Sequence, residues 1–223
     1  MKYVLVACEE SQEVCIAFRG KGIEAYSCDI KKCSGNHPEW HICCDMFELV
    51  DDFPFYFYCQ DGSYHYVNHW DLIIAHPPCT YLTCTGNRWF NVERYGEKAI
   101  ERMKLREEAV QFFMKIVNIK CDKIAIENPV GVMSTRYCKP TQIIQPYMFG
   151  EPYEKRTCLW IKGLPPLVPT LIVKPEPRVI YSSGASMPAW YNKIPKGVDR
   201  STYRSKTFPG IAKAMAEQWG SVL

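Results

Sequence analysis

The sequence predicts an α/β domain on a mostly parallel sheet, with a small C-terminal appendage. Three observations carry this. Short apolar runs alternate with helical patterns along the chain. Leu72-Ile73-Ile74-Ala75 is apolar without alternation, as strands buried on both faces are. At 223 residues, with 47% hydrophobic and 23% charged side chains, the chain can bury the core such a sheet needs.

The elements follow in order. Lys2–Ala7 reads as a first strand, and Ser11–Arg19 fits a helix with Ser11 as its N-cap. Glu24–Cys28 is a second strand ending at Asp29, and His41–Cys44 a short third ending at Asp45. Residues 51–70 are rich in Phe, Tyr and His and show no regular period. Asp71–Ala75 is a fourth strand, stopped by Pro77 and Pro78, which cannot donate ladder hydrogen bonds. Residues 97–118 form the clearest helix, its apolar face marked by Ala99, Met103, Ala109, Phe112, Phe113, Ile116 and Val117. Lys123–Ile126 is a fifth strand, after which Glu127-Asn128-Pro129 turns the chain. Further strands are expected at Thr157–Ile161 and 178–182, an extended proline-rich connector at 163–177, and a last helix at Gly210–Trp219.

No apolar run approaches the roughly 18 residues of a membrane span. The opening Met1–Ala7 is too short for a signal peptide, and several of the twelve cysteines fall within expected strands and helices. A reduced, cytoplasmic protein is therefore expected, bound to no membrane. Lys and Arg are unevenly spread: 16 face 19 Asp and Glu in residues 1–150, and 11 face 5 in 151–223. That basic last third, with Arg200, Arg204 and Lys206 close together, suits either a phosphate-contacting surface or an ordinary solvated face.

Two sets of residues carry chemistry. Asp29 and Asp45 each follow a strand, where an acid accepts hydrogen bonds from ribose hydroxyls or an adenine amine in a Rossmann-like site; plain helix caps are the alternative. The turn after the first strand, Ala7-Cys8-Glu9-Glu10-Ser11, has no glycine and two carboxylates, which repel a diphosphate. It suits a cationic cofactor without phosphate, such as S-adenosylmethionine. Cys79 ends the fourth strand on a rigid turn, at the sheet edge where open α/β folds place their ligands. Glu127 ends an adjacent strand and can face it. A thiolate can add to C6 of a pyrimidine while an acid bonds N3 and the exocyclic amine, so that C5 takes the methyl group. A buried free cysteine and a capping glutamate are the plainer readings of the two residues.

Pro77-Pro78-Cys79, with Thr83 and Gly86 behind it, resembles the nucleophile motif of DNA cytosine-5 methyltransferases, Thr80 and Thr83 standing where that family has Gln and Ser. Glu127-Asn128-Pro129 is similar to its Glu-Asn-Val, and Gly150–Ile161 to its arginine-bearing motif before a strand. Order and spacing agree for all three, and along nearly its whole length the chain resembles short methyltransferase-like proteins of phages and prophages. The resemblance implies a Rossmann-like class I S-adenosylmethionine-dependent methyltransferase fold. It divides the chain into a core at 1–162, a proline-rich basic connector at 163–200 and a closing motif with helix at 201–223. It casts Cys79, Glu127 and Arg156 as catalytic, and places Ala7, Glu9, Asp29, Ile30, Asp45, Met46 and Pro78 around the cofactor, with DNA as partner. The chain departs from the family at Ala7–Ser11, where a Phe-x-Gly-x-Gly motif is usual, and at Cys158, where a second arginine is usual. Only about forty residues separate Ile161 from Arg200, too few for a target-recognition domain, so a relaxed or short sequence preference is expected.

Other features are weaker. Cys33, His37, His41, Cys43 and Cys44 cluster without the spacing of a common zinc site and are read as incidental. His76 is read as structural. The aromatic group at 55–66 suits base stacking or a covering subdomain equally. Alternative readings of function are a pyrimidine C5 methyltransferase acting on RNA or a free nucleotide, and a catalytically idle nucleic-acid or adenosyl-ligand binding protein.

Overall fold

Val4, Val6, Leu72, Ile74 and Ala125 face one apolar layer, while Leu5, Ala7, Ile73, Ala75, Ile124 and Ile126 face the other. Both layers are buried, which is why these strands read as continuous apolar runs. The computed structural model describes residues 1–51, 55–197 and 199–223. In chain order the strands are β1 (Tyr3–Ala7), β2 (Glu24–Cys28), β3 (His41–Ile42), β4 (Phe55–Tyr58), β5 (Tyr64–Val67) and β6 (Leu72–Ala75), followed by β7 (Ile124–Pro129), β8 (Gln142–Ile144), β9 (Thr157–Lys162), β10 (Arg178–Ile180) and β11 (Ser186–Pro188). The helices are α1 (Glu13–Arg19), α2 (Val92–Tyr95), α3 (Glu97–Val117), α4 (Met133–Arg136), α5 (Arg200–Ser205) and α6 (Pro209–Gly220).

Seven strands form one sheet in the order β3-β2-β1-β6-β7-β9-β8. Neighbours from β3 to β7 pair parallel, and β9 runs antiparallel to both β7 and β8. The α/β architecture expected from the sequence, a mostly parallel sheet flanked by helices, is the one observed. On one face α1 and α6 bury Phe18, Met215 and Trp219; on the other α3 buries Val110, Phe113 and Ile116. No helix among the described residues is long and apolar enough to cross a membrane.

Several element expectations need correction. The first helix begins at Glu13, and Gln12, in a left-handed conformation (φ 62°), takes the N-cap position without a side-chain capping bond. Ser11 is no cap; the carboxylate of Glu9 accepts from the N–H groups of Val14 and Cys15 instead. The third strand ends at Ile42, because Asp45 opens a helical turn by accepting from the Phe47 N–H. The fifth expected strand runs on through Glu127, Asn128 and Pro129, which pair with Leu159, Cys158 and Thr157.

The stretch without a period contains the hairpin β4–β5; residues 52–54 of it lie outside the described residues. Phe57 and Val67 point into the core, while Tyr56, Tyr58, Tyr64 and Tyr66 are exposed on the outer face. Alternation is invisible in a sequence when both faces are aromatic. The connector 163–177 is extended as expected. Glutamine amides satisfy its backbone: Gln142 exchanges two hydrogen bonds with Leu167, and Gln218 two with Val168.

Candidate active site

The chain order of the sheet reverses between β1 and β6, and the carboxyl ends of β1, β6 and β7 open into a cleft of about 900 Å³. Cys8 and Glu9 line it from β1, His76 to Thr80 from β6, and Glu127 to Val130 from β7. Register explains one juxtaposition. Ala75 pairs with Ile126, so the next residues, His76 and Glu127, fall side by side. His76 Nδ1 lies 2.9 Å from Glu127 Oε2, with both side chains about nine-tenths buried.

The turn that presents Cys79 is held from three directions. Leu82 and Thr83 donate their N–H groups to the Cys79 carbonyl, both at 3.0 Å. The loop then pairs with the chain beyond β7: Val132 N–H donates to Leu82 O (2.9 Å) and Cys84 N–H to Val130 O (3.2 Å). Asn128 Nδ2 donates to the Pro77 carbonyl at 2.9 Å. From α3, Arg106 donates to Tyr81 O at 2.8 Å and stacks over Phe90, and Arg102 lies over Tyr81. A loop so fixed keeps the Cys79 thiol in place at little entropic cost.

The lining also includes Lys155 and Arg156 from the wall before β9, Arg204 and Lys206 from α5 and the turn after it, Arg88 from the loop after β6 and Arg102 from α3. Arg204 stacks over Tyr191, 4.1 Å from the ring centroid, and Lys155 donates to the Lys206 carbonyl. Glu154, on the same wall, is paired with Arg178.

These charges set the protonation states. Burial, then the charge of Glu127, raise the pKa of the Cys79 thiol; Lys155 and Arg204 pull it back only in part. Burial also presses on Glu127, but the His76 hydrogen bond and the charges of Lys155 and His76 outweigh it and hold the carboxyl below its usual range. For His76 burial opposes the imidazolium, yet Glu127 and Glu9 overcome both it and the repulsion of Lys155, so its pKa is raised.

Glu9 is pushed by burial from its usual 4.5 up to about 7, against the pull of His76 and of its two amide donors. A carboxyl raised in the folded state weakens the fold as pH climbs from the unfolded to the folded pKa. Glu9→Gln is therefore expected to remove a loss of stability on the order of 3 kcal/mol between about pH 4.5 and 7. Urea melts of both proteins across that range check it: the wild-type curve falls relative to that of the variant.

Among the residues expected at the site, Glu9, Pro78, Cys79, Glu127 and Arg156 line the cleft. Ala7 is fully buried in the sheet beneath it. Asp29, Ile30, Asp45 and Met46 are not in the lining; Ile30 is exposed and Met46 is buried against the Cys8 sulfur. Cys8 links the two regions. It lines the cleft, and its thiol is pushed up to about 12 by burial and then by the charges of Asp29 and Asp45. Asp29 and Asp45 each accept from a local N–H, of Lys31 and Phe47, which leaves further lone pairs on both carboxylates.

His76, Lys155 and Arg204 were not among the expected site residues. For His76 the signal was present in the strand alignment just described. For Lys155 and Arg204 it was not, because they arrive from segments separated by about fifty residues. In the Cys/His cluster, both nitrogens of His41 are bonded, to Ser27 and Lys31, and His37 stacks on Trp40.

Neither a family model nor a curated relative matches this sequence. Among solved structures, the chain is similar to a crystal structure of a prophage-encoded protein from E. coli described as a DNA modification methyltransferase. The TM-score is 0.44 at 14% identity, with 78% of this chain covered and 52% of that one. The chain thus spans about half the length of the protein it matches.

Proposed function

We propose that this protein is an S-adenosylmethionine-dependent methyltransferase acting on C5 of cytosine in DNA through a covalent bond from Cys79. The observation that carries this is the placing of a fixed cysteine and a buried carboxylate at adjacent strand ends, in one cleft lined with cationic side chains. Arg88, Arg102, Lys155, Arg156, Arg204 and Lys206, all lining the cleft that holds Cys79, suit a phosphate backbone passing over the thiol. Cys79 forms the bond to C6, Glu127 accepts from the exocyclic amine, and Arg156 binds the base or a flanking phosphate.

The residues beside Cys8 fit the cofactor. Two N–H donors of α1 that could take a phosphate are already held by Glu9, so the turn receives a phosphate-free ligand. Asp29 and Asp45 would hold its ribose and adenine, and Glu9 and Pro78 would border its reactive end. When bound, S-adenosylmethionine supplies an electrophilic methyl group.

The test is intact mass after mixing protein, cofactor and 5-fluorocytosine DNA, single- and double-stranded, with an RNA oligonucleotide in parallel. Fluorine at C5 blocks the final elimination, so an adduct accumulates. An adduct on DNA supports the reading and reports the preferred strand form. An adduct on RNA alone moves the substrate to RNA. No adduct in the presence of measurable cofactor binding overturns the reading in favour of an idle binding protein.

A further inference from the structure

The pairing of His76 with Glu127 leaves one hydrogen-bonding atom unspent. Nδ1 of His76 is engaged with Glu127, whereas Nε2 is buried and has no partner among the described residues. The ring borders the cleft three residues before Cys79. A buried polar atom without a partner is costly, and one at the wall of a ligand cleft is satisfied when the ligand arrives. We propose that His76 is a catalytic residue that gives the Nε2 proton to N3 of the target cytosine, while Glu127 anchors the imidazolium and accepts from the exocyclic amine. This rests on the cytosine-C5 reading above and divides between two side chains a role first assigned to Glu127 alone.

The surroundings support the division. The charged groups facing His76 are Glu127 from β7, Glu9 from the turn after β1 and Lys155 from the approach to β9. The ionised Glu127 favours the imidazolium over the repulsion of Lys155, and Glu9 adds to it as its own carboxyl loses its proton towards pH 7 and above. Glu127, held towards its ionised form by the same contact, can accept a hydrogen bond but has no proton to give. N3 needs one. When Cys79 sulfur bonds to C6, the C5=C6 pair shifts to C4=C5 and the C4=N3 pair moves onto N3, which takes the proton from Nε2. The thiol proton has by then gone to water in the open cleft. C5 takes the methyl group from the sulfonium of S-adenosylmethionine, whose S–CH3 pair stays on the sulfur of the departing thioether, while C4=N3 re-forms and the N3 proton returns to Nε2. Loss of the C5 proton to water then restores C5=C6, and the sulfur leaves with its electron pair.

The rate of adduct formation on 5-fluorocytosine DNA, measured against pH in wild type and His76→Gln, tests this. The active wild-type form holds a thiolate and an imidazolium, so its profile is bell-shaped: the fully protonated site has no nucleophile and the fully deprotonated one no acid. In the variant the descending limb disappears, the rate falls by about 10²- to 10³-fold near neutrality, and DNA affinity is unchanged. His76→Asn replaces the glutamine variant where that protein does not fold. A descending limb that survives in the variant, or equal rates in the two proteins, overturns the role of His76 alone. No adduct in wild type on any substrate overturns the Cys79 reading itself.

Discussion

Replacing Cys79 by serine is expected to abolish methyl transfer, with a loss of about 10⁴-fold or more, and to leave cofactor binding intact. The site offers a hydroxyl nothing that would ionise it. Burial and the Glu127 charge already raise the pKa of the more acidic thiol, and the cations opposing them, Lys155 and Arg204, recover only part of that shift. The substitution is close in volume, and the backbone of residue 79 is fixed by hydrogen bonds through its carbonyl, so the loop geometry is retained. Methyl incorporation into DNA and adduct mass check it together. Full incorporation by Cys79→Ser would mean that the thiol does not attack the ring, and would point to transfer onto an amino group.

The second large effect is expected at Gly131. This residue bridges to Thr83 where the loop after Cys79 crosses the chain beyond β7. A Cβ there would lie 2.0 Å from the Leu82 carbonyl oxygen and 2.8 Å from its carbon. Both are backbone atoms, so no rotamer change relieves the clash, and the two segments must separate. Overpacking of this kind costs about 3 kcal/mol, a fall in Tm of roughly 6–12 °C for a chain of this size. Activity is expected to fall further than stability, because the crossing positions the turn that carries Cys79. Gly20→Ala is the control: its Cβ meets nothing nearer than 3.4 Å, at an ordinary helical backbone, and its Tm is expected to hold. Thermal melts and adduct rates of both variants decide the matter.

What the sequence made legible is the part governed by local pattern. Apolar runs announced β1, β6 and β7, and the prolines at 77 and 78 marked where β6 stops and Cys79 emerges. Three kinds of information were hidden. The tyrosine-faced hairpin gave no alternation, because Tyr56 and Tyr64 stack on one face while Phe57 packs on the other. The cap of α1 comes from Glu9, outside the usual cap position, and so was mistaken for Ser11. Lys155 and Arg204 reach Cys79 only through tertiary folding, and no spacing rule joins residues so far apart. His76 stands between these cases. Its neighbour was fixed by parallel register, and the role proposed for it rests on a ring nitrogen with no partner among the described residues.

The carboxylate of Glu9 has a consequence for selectivity. Nucleoside diphosphates and triphosphates commonly settle their charge on free amides at the start of a helix after the first strand. Here the chain brings its own carboxyl to that position, so the seat is taken before any ligand arrives. Discrimination of this sort works by prior occupancy and needs no finer fit to the favoured ligand. A competitor rich in phosphate is therefore expected to find these two amides already occupied, however abundant it is.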